Sequence, residues 1–355
     1  MRIIQAAPTL ASGDGVGNCI FSFDSILKEE GIDTVIYANR TVGDIDPDLF
    51  RDSAELAEEK ADLMIYHLSY GNELNERVLS YDIKKVMVYH NITPPEFMKG
   101  YFPAVAKACE YGLNQVKALA GKYDGYICDS TFNKEQLVGF GYPEDRIDVL
   151  PILVPSYEGV REKRSIIKKY DDGMRNIISV GRIAPNKKIE DVIRSFFYYR
   201  TFYDPDSRLL LVGNYDSVNS KYYRELMTLV EDLGIEDRVV FTGFVTEEEK
   251  AAYFRVGHLY LCLSEHEGFC IPVVEAMRYS IPVVAYSEGA VPETLGKGGI
   301  LLKDKSPEIT AAVMNRVLRD VRLRDGIRKD QEKELERFER GVIKDKLMEI
   351  IRKYV

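Results

Sequence analysis

Short apolar runs alternate with longer amphipathic stretches along most of this 355-residue chain. Such runs, rich in Val, Ile, Leu and Tyr, are typical of strands buried on both faces, and the stretches between them are typical of covering helices. The pattern predicts an α/β fold with doubly wound parallel sheets, whose ligands bind at the carboxyl ends of the strands. Strands are predicted at residues 2–7, 34–38, 63–68, 85–90, 125–130, 147–151, 176–181, 208–213, 238–243, 259–264, 281–286 and 299–302, and helices of the first half at 17–30, 101–121 and 131–139.

The alternation predicts two Rossmann-like domains, because a chain of this length exceeds one ordinary core. The first domain would span residues 1–155 and the second residues 176–335. Residues 156–175 are charged and lack a clear core pattern, which is typical of an interdomain linker. A C-terminal helix at 336–355 needs a surface for its apolar stripe, and the first domain is a candidate. The stripe consists of Val342, Ile343, Leu347, Ile350 and Ile351.

Charge is unevenly distributed along the chain, which narrows the possible partners. The formal net charge is −9, made up of −10 in residues 1–150 and +1 in the remainder. An acidic first half argues against nucleic-acid binding and limits any membrane contact to a peripheral one. The five cysteines show no paired spacing, which favours a reducing, cytoplasmic location. No apolar run is long enough to span a bilayer, and the first residues resemble a core strand rather than a secretory leader.

The residue pattern predicts no metal and no cofactor. His258 and His266 do not have metal-ligand spacing with any cysteine pair. Two D-x-D strings, at residues 44–46 and 204–206, contain acids of the type that hold a divalent cation. Both strings lie in polar loop sequence next to proline, so we interpret them as turns. No feature of the sequence indicates an oligomeric state.

The segment SEHEGFCIPVVEAM, residues 264–277, is the most informative stretch for function. It predicts a strand end, a Gly-containing turn and a helix with Pro272 in its first turn. Unpaired amides and the helix dipole at such a start attract anions. Glu267 lies before this anion site and Glu275 lies one turn inside the helix, so a diphosphate flanked by hydroxyl-rich sugars would fit. The alternative is structural, since single acids are common near helix N-termini.

Three further loops follow predicted strands. GRIAPNKK places Arg182 and Lys187 after the first strand of the second domain, where both cations could neutralise a diphosphate. ASGDGVGN is not a dinucleotide fingerprint, but Gly15 and Gly17 would allow close backbone approach, with a helix starting at about Gly17. VYHNITPP places His90 at a strand end, where its side chain or its carbonyl could contact a sugar. The alternatives are solvated cations, a flexible loop and a capped turn.

Taken together, these residues resemble the retaining GT-B glycosyltransferases of family 4, the glycosyl transferases group 1. The E-x7-E motif corresponds to Glu267 and Glu275, and the G-R-x-x-x-x-K element corresponds to Gly181, Arg182 and Lys187. The resemblance covers essentially the whole chain and implies two Rossmann-like domains facing a cleft, with a C-terminal helical tail. The first domain would bind the acceptor and the second the donor. Cys270 and Ser280 depart from the family, which usually has glycine at both positions.

The resemblance also implies roles for individual residues. Glu267 would contact the transferred sugar, Glu275 the ribose, and His90 the reacting sugar from the other domain. Arg182 and Lys187 would neutralise the donor diphosphate. The remaining donor contacts would come from Gly15, Gly17, Phe244, Val245, Gly268, Phe269, Cys270 and Ile271.

The implied enzyme moves a sugar from a UDP- or GDP-linked donor to an acceptor hydroxyl, with retention and without a metal. The acceptor would be a glycan, a lipid-linked molecule or a small molecule, as in glycan or glycolipid biosynthesis. Two alternatives remain at this point. One is a nucleotide-sugar epimerase with the same architecture, and the other is a non-catalytic nucleotide-sugar binding protein.

Overall fold

The computed structural model describes residues 1–155, 157, 159–215, 217 and 220–355. The chain divides into two units, each with its own parallel sheet. The first unit contains Met1–Pro155 and Arg337–Val355, and the second contains Ser156–Glu336. In the described residues no helix combines the length and the apolarity needed to cross a membrane.

The first unit is built on seven parallel strands in the order β3-β2-β1-β4-β5-β6-β7. The strands are β1 (Arg2–Ala11), β2 (Asp33–Val42), β3 (Phe50–Asp52), β4 (Leu63–Leu68), β5 (Lys85–Tyr89), β6 (Gly125–Cys128) and β7 (Ile147–Val149). The helices are α1 (Gly15–Glu29), α2 (Leu74–Arg77), α3 (Pro95–Lys99), α4 (Pro103–Ala118) and α5 (Thr131–Gly139), with 3-10 turns at Pro47–Leu49, Ser53–Glu58, Val78–Ser80 and Glu144–Arg146.

Alternate residues of these strands enter two apolar layers, one on each face of the sheet. Ile4 and Tyr66 belong to one layer, whereas Ile3 and Ile65 belong to the other. This period-two arrangement explains why the strands appear in the sequence as nearly continuous apolar runs. The prediction missed only β3 in this sheet, because Phe50–Asp52 is short and has two exposed residues.

The second unit has six parallel strands in the order β10-β9-β8-β11-β12-β13. The strands are β8 (Arg175–Val180), β9 (Ser207–Val212), β10 (Val239–Phe241), β11 (Leu259–Cys262), β12 (Val283–Tyr286) and β13 (Gly299–Leu302). The helices are α6 (Arg164–Tyr170), α7 (Ile189–Phe202), α8 (Lys221–Asp232), α9 (Glu247–Val256), α10 (Ile271–Arg278), α11 (Val291–Leu295), α12 (Pro307–Arg319) and α13 (Val321–Leu335), with a 3-10 turn at Pro185–Lys187.

In both sheets the first strand in sequence lies between the second and the fourth. The connections leave this point in opposite directions, so a crevice opens beyond the strand ends of β1 and β4 and, in the second unit, of β8 and β11. The predicted doubly wound parallel sheets are thus confirmed. Part of the predicted linker is ordered structure of the second unit, because α6 lies there and Lys163 N donates to the Glu248 carbonyl at 3.1 Å.

The last helix, α14 (Arg340–Ile351), belongs to the first unit and follows a 3-10 turn at Glu336–Phe338. Its Ile343 and Leu347 are fully buried in the same apolar layer as Ile3. Beyond the helix, the side chain of Tyr354 packs against Gly125 of β6. A Cβ at Gly125 would lie 2.0 Å from the Tyr354 hydroxyl, so this position of β6 has no room for a side chain.

Candidate functional site

Two loops meet at the switch point of the second unit. One follows β8 and contains the Pro185–Lys187 turn, and the other follows β11 and leads to α10. Three hydrogen bonds join them. Glu265 N donates to the Asn186 carbonyl at 2.9 Å, Asn186 Nδ2 donates to the His266 carbonyl at 3.1 Å, and Lys187 Nζ donates to Glu267 Oε1 at 2.5 Å. The predicted cation and the first glutamate of the motif therefore form one cluster.

The Lys187–Glu267 ion pair lies beside a small open pocket. Glu267 is only 8% exposed. Burial is the largest single influence on Lys187 and favours the neutral amine, but the Glu267 carboxylate and the neighbouring thiols together raise the pKa of Lys187. The lysine thus stays charged at neutral pH. Residues lining the pocket include Gly181, Arg182, Lys187, Cys262, Ser264 and Glu267.

Arg182 is exposed on the rim of this pocket. Within the part of the chain that the structure describes, its guanidinium has no ion-pair partner. A guanidinium without a partner at a pocket rim can donate two parallel hydrogen bonds to a phosphate. Arg182 therefore differs from Lys187, which is already paired with Glu267.

Glycines let the backbone of these loops approach closely. Gly213 has φ of 143°, and a Cβ there would lie 2.1 Å from the Gly181 carbonyl oxygen. Gly289 has φ of 59°, and a Cβ there would lie 2.8 Å from the Glu267 carbonyl oxygen, which also accepts from Ala290 N at 3.0 Å. The loop after β12 consequently supports the main chain of Glu267. Glu267 is thus held at its side chain by Lys187 and at its main chain by Ala290.

Two helices begin at this site without a side-chain cap. Lys188 precedes α7 and Cys270 precedes α10, and both have left-handed backbone with φ of 52° and 74°. Neither N-cap side chain caps its helix, whereas α8 and α9 are capped by Ser220 and Thr246. The first amide of α7 is occupied, because Ile189 N donates to the Tyr222 hydroxyl at 3.1 Å. The start of α10 leaves the positive end of its dipole available to an anion. Pro272 lies in the first turn of α10, as predicted.

Cys270 also lies next to a second thiol. Its Sγ is 3.9 Å from Cys262 Sγ at the end of β11, and both residues are buried. Donation of the Cys270 S–H to the Cys262 sulfur lowers the pKa of Cys262 to about 7 and raises the pKa of Cys270. The left-handed backbone of Cys270 explains why glycine is usual at this position, since a side chain there is strained.

The second motif glutamate belongs to a different cluster. Glu275 is 2% exposed, and its Oε1 accepts from the Tyr157 hydroxyl at 2.5 Å and pairs with Lys250 Nζ at 2.9 Å. Burial opposes the charge of Lys250, but Glu275 raises the pKa of that lysine. Glu275 is thus a fixed carboxylate inside α10, and it is absent from the described lining of the pocket.

The remaining predicted donor residues lie near other strand ends. Phe244 and Val245 follow β10, and Phe244 is 77% exposed. Gly268, Phe269 and Ile271 lie in the loop and the first position of α10. The Phe269 carbonyl accepts from the Thr294 hydroxyl of α11.

The glycine loop of the first unit has a different arrangement. Helix α1 begins at Gly15, two residues before the predicted start, because Asp14 forms the N-cap. The Asp14 carboxylate accepts from Gly17 N at 2.7 Å. A Cβ at Gly17 would lie 1.8 Å from the Ala11 carbonyl oxygen. These contacts give Gly17 a structural role and occupy its amide, while Gly15 is the first residue of α1.

His90 ends a buried chain of polar side chains in the first unit. The Gln5 carbonyl oxygen lies 3.0 Å from His67 Nε2, His67 Nδ1 lies 2.9 Å from His90 Nε2, and His90 Nδ1 lies 2.9 Å from Asp129 Oδ2. Burial lowers the pKa of His67, so that ring is neutral. The His90 side chain is 3% exposed although the whole residue is not buried, so its accessible part is main chain. This favours a carbonyl contact over an imidazole contact.

Two groups of side chains have the ligand types and proximity for a metal ion. Among the described residues they are Cys19, His67 and His90 in the first unit and Cys262, Glu267 and Cys270 in the second, each with donor atoms within 4.8 Å. The D-x-D strings are engaged elsewhere: Asp46 caps a turn through Asp48 N, and Asp204 pairs with Arg175 at 3.0 Å.

Residues 160–334 match the family described as "Glycosyl transferases group 1". The match covers nearly all of the unit that carries the Lys187–Glu267 site. The second unit is therefore similar to the group 1 glycosyl transferases. This agrees with the resemblance noted in the motif residues.

Solved structures show that the fold extends over the whole chain. Anabaena HepE in complex with UDP and glucose superposes with a TM-score of 0.75 at 18% identity, over 99% of this chain and 100% of that chain. The predicted GT-B fold is therefore confirmed.

Curated relatives match over shorter stretches. N-acetyl-alpha-D-glucosaminyl L-malate synthase of Bacillus anthracis is 29% identical over 39% of this chain and 34% of its own length. Trehalose synthase of Thermococcus litoralis is 32% identical over 53% of this chain and 48% of its own length. The chain thus matches about a third to a half of the length of these two relatives.

Sequence reasoning missed the partners of the predicted residues. Tyr157 and Lys250 hold Glu275 but lie 118 and 25 residues from it along the chain. Asp129 holds His90 from the end of the next strand. Its position directly after the GYIC run was the one available signal, because parallel strand ends meet at the same sheet edge.

Proposed function

We propose that this protein transfers a glycosyl group from a UDP- or GDP-linked sugar to an acceptor hydroxyl, with retention and without a metal. The observation that carries the proposal is the Lys187–Glu267 pair at the switch point, beside the start of α10, whose N-cap residue provides no side-chain cap. These place positive charge and amides where a diphosphate could bind, and a carboxylate where sugar hydroxyls could bind. The group 1 family of the second unit supports the same reaction class.

Fixed charges would stabilise the leaving diphosphate. The bond between the anomeric carbon and the phosphate oxygen breaks, and the diphosphate keeps the electron pair. Arg182, Lys187 and the first amides of α10 neutralise the negative charge that develops there. Because the loops are tied together before any ligand arrives, this stabilisation requires little reorganisation.

The acceptor oxygen then bonds to the anomeric carbon from the face that the diphosphate leaves. Its proton passes to an oxygen of the departing diphosphate, so no protein base is needed. Glu267 would orient the sugar hydroxyls. Glu275 would bind the ribose with the carboxylate oxygen that Tyr157 and Lys250 do not use.

The partners follow from this reaction. The acceptor would be a glycan, a lipid-linked molecule or a small molecule, and the reaction would belong to glycan or glycolipid biosynthesis in the cytoplasm. Any membrane contact would be peripheral. The HepE complex with UDP and glucose supports a UDP-sugar as the first donor to try.

Donor binding and transfer can be tested in one series. UDP-, GDP- and ADP-sugars are screened by thermal shift, since a ligand of the native state alone raises the melting temperature. Arg182→Ala and Glu267→Ala should abolish transfer, while Arg164→Ala, an exposed arginine on α6, should not. Retention is checked by NMR of the product anomer, and metal independence by activity in a chelator. Near-normal turnover in both site variants would contradict the proposal.

A further inference from the structure

The thiol pair at the start of α10 has the spacing of two ligands on one metal ion. Two sulfurs each about 2.3 Å from Zn²⁺ at a tetrahedral angle lie about 3.8 Å apart. The observed distance between Cys262 Sγ and Cys270 Sγ is 3.9 Å. The third donor is a Glu267 oxygen within 4.8 Å of both sulfurs.

We propose that Cys262, Glu267 and Cys270 form a binding site for one thiophilic divalent cation, with Zn²⁺ as the representative ion. Two thiolates and one carboxylate leave a fourth position open, as in zinc sites that accept an outside ligand. Cys262 and Glu267 line the open pocket, so the cation has a route from solvent. Sulfur ligands favour Zn²⁺ over Mg²⁺ or Ca²⁺, which prefer oxygen.

The charges of the site balance with and without the cation. Without it, and below the Cys262 pKa of about 7, two neutral thiols accompany the Lys187 ammonium and the Glu267 carboxylate. Binding releases two thiol protons to solvent, and the two thiolates offset the two charges of the cation. Lys187 uses Glu267 Oε1, so the carboxylate has a second oxygen for the metal.

The corresponding group in the first unit is a weaker candidate. The ring nitrogens of His67 and His90 that approach each other already share a hydrogen bond of 2.9 Å, and the other ring nitrogens contact Gln5 and Asp129. A metal there would have to break this chain. At the second site the sulfurs interact weakly, with each other and with Ser264.

The functional consequence rests on the proposed transfer reaction. A cation bound to Glu267 would take that carboxylate from the sugar hydroxyls and would weaken its contact with Lys187. Zn²⁺ should therefore inhibit transfer, and a chelator should restore it. Binding itself requires no donor, so it can be measured even if the protein transfers no sugar.

Cobalt titration tests binding directly, because thiolate-bound Co²⁺ gives an intense charge-transfer absorption. The wild-type protein should bind one Co²⁺ with this band, and excess Zn²⁺ should remove it. Cys262→Ser and Cys270→Ser should each abolish the band. Cys19→Ser and Cys109→Ser are matched controls that should keep it, since one removes the other metal-type group and the other an unrelated thiol.

Several outcomes would overturn the proposal. They are no charge-transfer band at one equivalent, a band lost only in Cys19→Ser, or unchanged Zn²⁺ stoichiometry by native mass spectrometry in the double variant Cys262→Ser/Cys270→Ser. Native mass spectrometry of the wild type needs no variant and should show one Zn²⁺ per chain. In the transfer assay, saturating Zn²⁺ should lower the wild-type rate at least tenfold. The rate ratio with and without Zn²⁺ should stay near one in Cys262→Ser.

Discussion

The two units share one strand order but differ in what lies at the switch point. In the first unit the loop after β1 ends in a carboxylate, Asp14, which caps α1. In the second unit the corresponding loop after β8 ends in Lys187 and Lys188, and α7 has no side-chain cap. The doubly wound strand order therefore determines where a ligand can bind, and the charged side chains of the loops determine whether an anion or a cation is favoured there.

The fourth strands sharpen this difference. β4 contains His67, which is fully buried and joined to other polar side chains of the first unit. β11 leads to His266 and Glu267, and Glu267 pairs with the lysine of the neighbouring loop. At the switch point of the first unit, His67 is hydrogen-bonded to other side chains of that unit. At the switch point of the second unit, the guanidinium of Arg182 is exposed on the pocket rim.

The largest expected effect comes from removing the buried cation of the second unit. Lys187→Met keeps the length of the side chain but removes the charge beside Glu267. We expect kcat/KM for transfer to fall about 10²- to 10³-fold, as when one preorganised oxyanion donor is lost. The measurement is steady-state kinetics with the donor identified by thermal shift. The control is Lys168→Ala, which removes an exposed lysine of α6. An equal loss of kcat/KM in both variants would contradict the special role of the charge at the second switch point.

The next effect concerns acid stability, because each unit buries a neutral histidine. Burial lowers the pKa of His266 to about 4. Below the ordinary value of about 6.5 the unfolded imidazole takes up a proton that the folded one refuses, so stability is lost as pH falls from about 6.5 to 4. His266→Gln should recover up to on the order of 3 kcal/mol of that loss.

Urea unfolding at pH 7.5 and at pH 4.5 measures this effect. The His67→Gln variant should also lose less free energy of unfolding between pH 7.5 and pH 4.5 than the wild type, since burial also lowers the pKa of His67. Native-state hydrogen exchange assigns each change to its unit. If His266→Gln and the wild type lost stability in parallel between the two pH values, His266 would not be neutral in the folded protein.

The smallest effect concerns the caps. Asp14→Ala in the first unit and Thr246→Ala in the second should each lower the free energy of unfolding by about 0.5–2 kcal/mol. Thr246 forms a capping box with Glu249, so both variants remove a side-chain acceptor from a helix start. Urea denaturation at neutral pH provides the measurement. A loss of unfolding free energy well below this range would mean that the side-chain caps do not contribute measurably to stability.

Much of the scaffold was predictable because its strands are buried on both faces. Of the thirteen strands in the described residues, twelve appeared as apolar runs in the sequence and the short edge strand β3 did not. The helix starting at Pro272 was also predictable, since proline is favoured in a first turn. Helix α1 was placed two residues late, because the capping role of Asp14 was overlooked.

The sequence indicated which residues belong to the site better than it indicated which side chains form ion pairs or hydrogen bonds with them. Lys187 and Glu267 were named as neighbours of one ligand, but their direct ion pair depends on how two loops fold together. Glu275 illustrates the limit. Its partner Tyr157 lies in a segment that looked like a linker, and no local pattern connects positions so far apart in sequence. Likewise, no local pattern in the sequence indicates the left-handed backbone of Cys270.

The position of α14 has a consequence for the order in which the chain folds during synthesis. Residues 1–155 leave the ribosome first, yet the apolar layer around Ile3 is completed by Ile343 and Leu347. The second unit is continuous in sequence, so it can fold while the first still exposes part of its core. We expect a ribosome-bound chain that stops before Arg340 to be more sensitive to protease in residues 1–155 than in residues 160–334. The first unit to be made would then be the last to be finished.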